Sequence, residues 1–260
     1  MLAINYKEIG KYCNYKFINK KYRKQLSYYE CFCSLFYVHN ETMNIWTHLL
    51  SSLYFLYIFF EKTIIQKCNN IILQIFPFVL FISLLFSALC HMLICNDKYF
   101  HIALSADVTG IFCIISVCVI PTIIDITAIE DIIYFQNMYV ILYCVSTFLW
   151  YYIYIKKIYE TNKIEHIYQQ LGLIISGIWW IIPLTQLYFQ STYNNFINKL
   201  VFWTPQYFYW GFCFFTYIIQ FPERYFIYKY NWFFYSHALF HIFVTLSAIA
   251  HYDRINMIFN

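Results

Sequence analysis

Charge is what this sequence has least of. Asp, Glu, Lys and Arg together make up 12% of its 260 residues, about half the share of about 25% in an ordinary soluble domain. Hydrophobic residues make up 62%, and the mean hydropathy is +0.54. Such a chain cannot cover a folded surface with polar groups, which excludes a water-soluble globular domain and indicates a membrane protein. A secretory leader is also missing: the first 40 residues are polar and Lys-rich, with no apolar core followed by a small-residue cleavage site. The first spanning helix is therefore expected to direct insertion itself. There is no internal repeat and no sign of a second domain. The expected partners are membrane lipids, not nucleic acid.

What is abundant needs placing before it can be interpreted. Ten cysteines suggest a disulfide framework, yet Cys90, Cys95, Cys113, Cys118, Cys144 and Cys213 lie in or beside apolar runs, where cysteine behaves as a small hydrophobe. Cys13, Cys31 and Cys33 lie in the N-terminal segment, and the spacing of Cys31 and Cys33 is weak evidence for metal or redox chemistry. Aromatics reach 24% and are not read singly as sites.

Seven apolar segments are long enough to cross about 30 Å of hydrocarbon as helices: 44–61, 71–95, 102–124, 133–155, 168–190, 198–220 and 232–253. Pro77, Gly110, Pro121, Gly172, Gly177, Pro183 and Pro205 fall inside them, as membrane helices tolerate. The fold expected is all-α: a seven-transmembrane-helix bundle over 44–253, preceded by a Lys-rich cytosolic lead-in over 1–43 and followed by a short outer tail over 254–260. Short connections make sequential helices antiparallel. Thirteen of the 17 Lys and Arg residues then lie on the N-terminal side and four on the other. Positive charge stays inside, so the N-terminus is expected in the cytosol and the C-terminus outside or in a lumen. Asn40 opens a glycosylation acceptor pattern, Asn-Glu-Thr, but falls on the cytosolic side and is expected to be unmodified.

Orientation places the polar residues by depth. Ser87 and His91, four apart on one helix face, fall at the cytosolic end of the second span. Asp107 lies in the first turns of the third, and His237 and His241, again four apart, open the seventh. A single intramembrane histidine can simply hydrogen-bond across a helix interface, but five such residues from three helices at one depth point to function. Three imidazoles suit zinc, which takes tetrahedral N, S or O ligands and leaves a fourth position for water when three come from protein. The arrangement is not His-Glu-x-x-His, because Ala238, Leu239 and Phe240 stand between the two histidines. A base must come from elsewhere, and Asp107 is the nearest candidate; Ser87 can hydrogen-bond a water or a substrate carbonyl. His48 can line the same cavity. His251 is too far along, about 15 Å from His241 by helical rise. His39, His101 and His166 are read as solvated or interfacial.

Several stretches together resemble a known family: "NETMNIWTHLLSSLYFLY" at 40–57, "SALCHMLIC" at 87–95, "ADVTGI" at 106–111, "FPER" at 221–224 and "WFFYSHALFHIFVTLSAIAHY" at 232–252. They are similar in order and spacing to the adiponectin and progestin receptors and the hemolysin III proteins, and the resemblance runs from about residue 21 through nearly the whole chain. It implies a seven-helix bundle with a cytosolic N-terminus and a zinc site held by His91, His237 and His241, with Asp107 and Ser87 beside it. It also implies a zinc-dependent hydrolase acting on a lipid amide such as a ceramide, with a receptor role in animal members. The chain departs from the pattern at Met43, where relatives carry Gly, at Gln169 and Gln170, where a basic residue often opens the fifth helix, and at Trp179 and Trp180. Two alternatives stand beside hydrolysis: a receptor whose zinc is purely structural, and an ion or transport protein. The second requires polar residues to continue across the bilayer, and the outer halves read as mostly aromatic and aliphatic. A bis-histidine haem site suits three histidines at one depth less well than zinc does.

Overall fold

A computed structural model of the chain describes residues 18, 21–129, 132–161, 166–226 and 232–260. Among these residues there is no strand. Eight α-helices are formed: α1 (Tyr28–Cys33), α2 (Thr42–Phe60), α3 (Ile71–Leu93), α4 (Phe100–Thr127), α5 (Gln136–Thr161), α6 (His166–Gln190), α7 (Tyr193–Ile219) and α8 (Ser236–Phe259). A π-turn over Glu61–Ile65 prolongs α2. Four stretches are long and apolar enough to cross a membrane: Thr42–Ile65, Ile71–Leu93, Phe100–Thr127 and Ile133–Glu160. Helices α6, α7 and α8 are of similar length, at 25, 27 and 24 residues.

The outward faces are as apolar as the interior. On α5, Ile141, Val145, Phe148, Leu149 and Tyr152 are all exposed, at spacings of three and four that make one continuous stripe. A water-facing helix cannot carry that stripe without aggregating; a lipid-facing one requires it. Inside, α2 packs closely on α3, α3 on α4, and α7 on α8. Gly110 on α4 lies against the Ser83 backbone of α3, where an added Cβ would meet Ser83 Cα and O at 3.1 Å. That close approach brings Asp107, three residues back on α4, level with Ser87, four residues on along α3.

Local chemistry fixes the helix ends. Ser27 and Glu30 form a capping box at the start of α1, and Asn70 caps α3 by accepting from Ile72 N at 3.0 Å. α8 begins where the buried Glu223 carboxylate accepts the backbone N–H of Ser236 at 2.7 Å and also its hydroxyl. An anionic cap suits the positive end of a helix. Burial pushes the Glu223 carboxyl above its ordinary range, and the Ser236 hydrogen bonds partly offset this.

The lead-in is no loose tail where it is described. Leu26 N donates to Cys95 O at 3.1 Å, and Asn96 Nδ2 donates to Leu26 O at 2.8 Å. Arg23, counted above only as a cytosolic positive charge, is buried. Its guanidinium donates to His91 O at 2.7 Å, Met92 O at 3.0 Å and Ser34 Oγ at 2.7 Å, closing the carbonyl end of α3. The cysteine near Cys31 in space is Cys95, with Sγ atoms 3.7 Å apart, and not Cys33; all described cysteines are free. At the other end of the chain, residues 254–259 continue α8 instead of leaving it as a tail.

Candidate metal centre

The Nε2 atoms of His91, His237 and His241 converge on one point. His237 Nε2 is 3.2 Å from His91 Nε2 and 3.2 Å from His241 Nε2. Helix α3 supplies the first ring. One face of α8 supplies the other two, because residues four apart stack along a helix. His91 and His241 are buried and His237 is half-buried. They form a cluster of three metal-capable side chains among the described residues.

The opposite ring nitrogens decide what occupies that point. His91 Nδ1 lies 2.9 Å from a carboxylate oxygen of Glu41. Burial raises the cost of charge on Glu41, but the hydrogen bond with His91, the nearby Arg23 and the Asn44 amide outweigh it and hold the carboxyl at about 2. An ionised carboxylate only accepts, so His91 Nδ1 carries the proton. His241 Nδ1 lies 3.2 Å from the backbone carbonyl of Asn44, which also only accepts, so that nitrogen carries a proton too. In the neutral rings both Nε2 atoms then present lone pairs. His237 has one N–H at most to offer at Nε2 and cannot serve both. A cation at the centre satisfies all three at once. Tetrahedral metal–nitrogen bonds of about 2.0–2.1 Å place ligand atoms about 3.3–3.4 Å apart, close to the separations found. The donor set therefore fits a zinc-type ion.

Glu41 itself is held in place from several sides. It is 1% exposed, and accepts from Asn40 Nδ2 at 2.6 Å and Asn44 Nδ2 at 2.7 Å. Asn44 Nδ2 also donates to the Tyr235 hydroxyl at 2.6 Å, which in turn donates to Asn40 O at 3.2 Å. A carboxylate behind a ligating histidine fixes its tautomer and raises its basicity. The Asn-Glu-Thr stretch, which matches a glycosylation acceptor pattern, thus lies directly behind the histidine cluster, and Asn40 is buried. His39 corrects an expectation. Read as solvated or interfacial, it is buried, accepting from Glu41 N at 3.1 Å and donating to Ser34 O at 3.2 Å. Burial, then the neighbouring Arg23, hold its pKa at about 3, so it stays neutral. His166 lies among side chains outside the described set.

Beside the histidines opens a cavity of about 720 Å³, mouth included, walled by Ile111, Ile114, Ile115, Trp210, Phe240 and Val244. Asp107 and Ser87 line it, as expected, but stand outside the cluster of three. The Ser87 side chain lies beside the Asp107 carboxyl. His48 lines the same cavity and stacks on His241, ring centres 3.7 Å apart.

A family model described as haemolysin-III related matches residues 36–252. The chain belongs to the haemolysin-III family. Among curated proteins it is 25% identical over 285 aligned residues to heptahelical transmembrane protein 1 of Arabidopsis thaliana, covering 96% of this chain and 79% of that protein. This haemolysin-III protein is an integral, multi-pass membrane protein. The matched stretch contains every histidine of the cluster together with Glu41, Asn44, Asp107 and Tyr235, whereas Arg23 lies ahead of it. Sequence spacing pointed to the three histidines, which the structure gathers, and to Asp107 and Ser87, which line the cavity beside them. It missed Glu41, Asn44, Tyr235 and Arg23. The available signal was the acid at Glu41 in a chain with only 13 Asp and Glu residues, placed immediately before an apolar helix.

Proposed function

We propose that this protein is a zinc-dependent intramembrane hydrolase of lipid amides, ceramide-like in having a long acyl chain. The observation that carries the reading is the convergence of three histidine Nε2 atoms beside an apolar cavity that also holds Asp107. A closed structural site normally has four protein ligands. The cluster here offers three among the described residues, which leaves room for a water and favours chemistry over a purely structural ion.

His91, His237 and His241 would hold the metal, with Glu41 and the Asn44 carbonyl fixing the ring orientations. Zinc in such a site supplies Lewis acidity and a water activated near neutral pH. The aliphatic and aromatic walls accept the acyl chain and exclude bulk water. Asp107, with Ser87 beside it, is placed to accept a proton and return it to the leaving amine nitrogen, as amide cleavage demands. The bundle is proposed to cross the membrane seven times, through α2 to α8, with the 1–43 lead-in in the cytosol. The site then opens near the inner leaflet.

The test is fatty-acid release from a panel of ceramides and other acyl lipids by purified wild type, Asp107→Asn, Ser87→Ala and His237→Ala. Asp107→Asn should keep its zinc and lose at least about 100-fold in turnover, the usual contribution of a positioned acid–base. Ser87→Ala should lose less, since it removes one hydrogen bond. If zinc-loaded wild type releases no more fatty acid than His237→Ala on any lipid, hydrolysis is wrong, and the zinc belongs to a receptor in which it ties α3 to α8.

A further inference from the structure

A second polar station lies deeper in the bundle. His251 sits ten residues beyond His241 on α8, about 15 Å away by helical rise. With Gln206 and Tyr207 of α7 it lines a cavity of about 440 Å³. That cavity shares Ile114, Ile115, Trp210 and Val244 with the pocket beside the histidine cluster, so the two are adjacent. The half of the bundle remote from the cluster is therefore less uniformly apolar than its sequence suggests.

Gln206 is 2% exposed, and neither its amide oxygen nor its amide nitrogen has a hydrogen-bond partner. His251 is also 2% exposed, and its Nε2 has no hydrogen-bond partner. Buried polar groups are almost always satisfied, and these open onto one cavity.

We propose that Gln206 and His251 form a second binding site, for a neutral hydroxyl or amide group on a membrane-soluble ligand. The complement to these atoms is specific. Gln206 Oε1 needs a donor, Gln206 Nε2 needs an acceptor, and His251 Nε2 takes either according to its tautomer. A hydroxyl or an amide offers both, an ether oxygen only accepts, and a carboxylate cannot donate. The remaining walls, Ile114, Ile115, Val119, Val244 and Ala248 among them, provide no counter-charge, so an ionised group is excluded by desolvation. The ligand's apolar part runs along the shared wall toward the histidines. The site stands whether or not the protein hydrolyses lipids.

The test compares 1-decanol with decyl methyl ether, which keeps the acceptor and lacks the donor. Binding to the purified full-length protein is read from the ligand-dependent shift in melting temperature. Wild type should prefer the alcohol by about tenfold, the value of one well-made buried hydrogen bond. Gln206→Leu and His251→Phe should each bring the ratio close to one while metal content stays at the wild-type value. Should Gln206→Leu not fold, His251→Phe carries the test alone. Equal binding of alcohol and ether by wild type, or a preference that survives the substitutions, overturns the site. Loss of metal in every folded variant would place the effect at the histidine cluster and would overturn it equally.

Discussion

The side chain on which His91 most depends is Glu41, fifty positions away in sequence and 2.9 Å away in space. If it fixes the proton on His91 Nδ1, Glu41→Gln should weaken zinc binding by about 10- to 100-fold, the usual effect of removing such a partner. The fold should survive, because Gln keeps the volume and its one amide oxygen can still accept from Asn44, although the bond from Asn40 is lost. Competition with a chelator measures this, and an unchanged zinc affinity would remove Glu41 from the metal centre. Residues at helical spacing were legible in the sequence: Ser87 with His91, and His237 with His241, meet because four residues bring a helix back to the same face. Glu41 was not, because only the packing of α2 against α3 brings it there. His39 was misread as solvated or interfacial for the same reason, since its partners Ser34 and Glu41 enclose it only once the lead-in folds back over the end of α3.

At the scale of elements, the Gly110 contact sets the distance between α3 and α4, and with it the pairing of Asp107 with Ser87. Gly110→Val would drive two methyl groups into the Ser83 backbone, already 3.1 Å from where a first Cβ would sit. It should destabilise the protein by about 1–3 kcal/mol, the cost of overpacking, and impair Asp107 function before it impairs zinc binding. Denaturation of wild type and variant in the same detergent, with zinc content read in parallel, checks this; an unaltered midpoint would contradict it. The helices themselves were readable from hydropathy, but their ends were not: α3 stops at Leu93, short of 95, and α8 begins at Ser236, after 232, whereas other ends run further than the apolar segments. α5 continues to Thr161 because Lys156 and Lys157 pair locally with Glu160 at 3.7 and 2.9 Å, which keeps the helix intact beyond its apolar part. α8 continues to Phe259, where Arg254 donates to Phe202 O at 2.8 Å. Hydropathy marks the apolar core of a span and is blind to pairs that extend it.

For the whole molecule, the uneven placement of Lys and Arg predicts a cytosolic N-terminus and a C-terminus on the other side. A tag at the N-terminus should be reached by protease or antibody only after the cytosolic face is opened, and a tag at Asn260 should be reached from outside or from the lumen. Both tags on one side would contradict seven crossings. The same asymmetry puts the histidine cluster, the buried Arg23 cap and Glu223 at one end of the bundle, where α2, α3 and α8 meet and where the lead-in closes over them. The account stands on a metal at that meeting point, and elemental analysis of the purified protein tests it most directly. Wild type should carry about one zinc per chain, as a three-histidine site requires, and the His237→Ala, His241→Ala double variant should carry little. A wild type without transition metal, or a double variant that keeps its full complement, would contradict it.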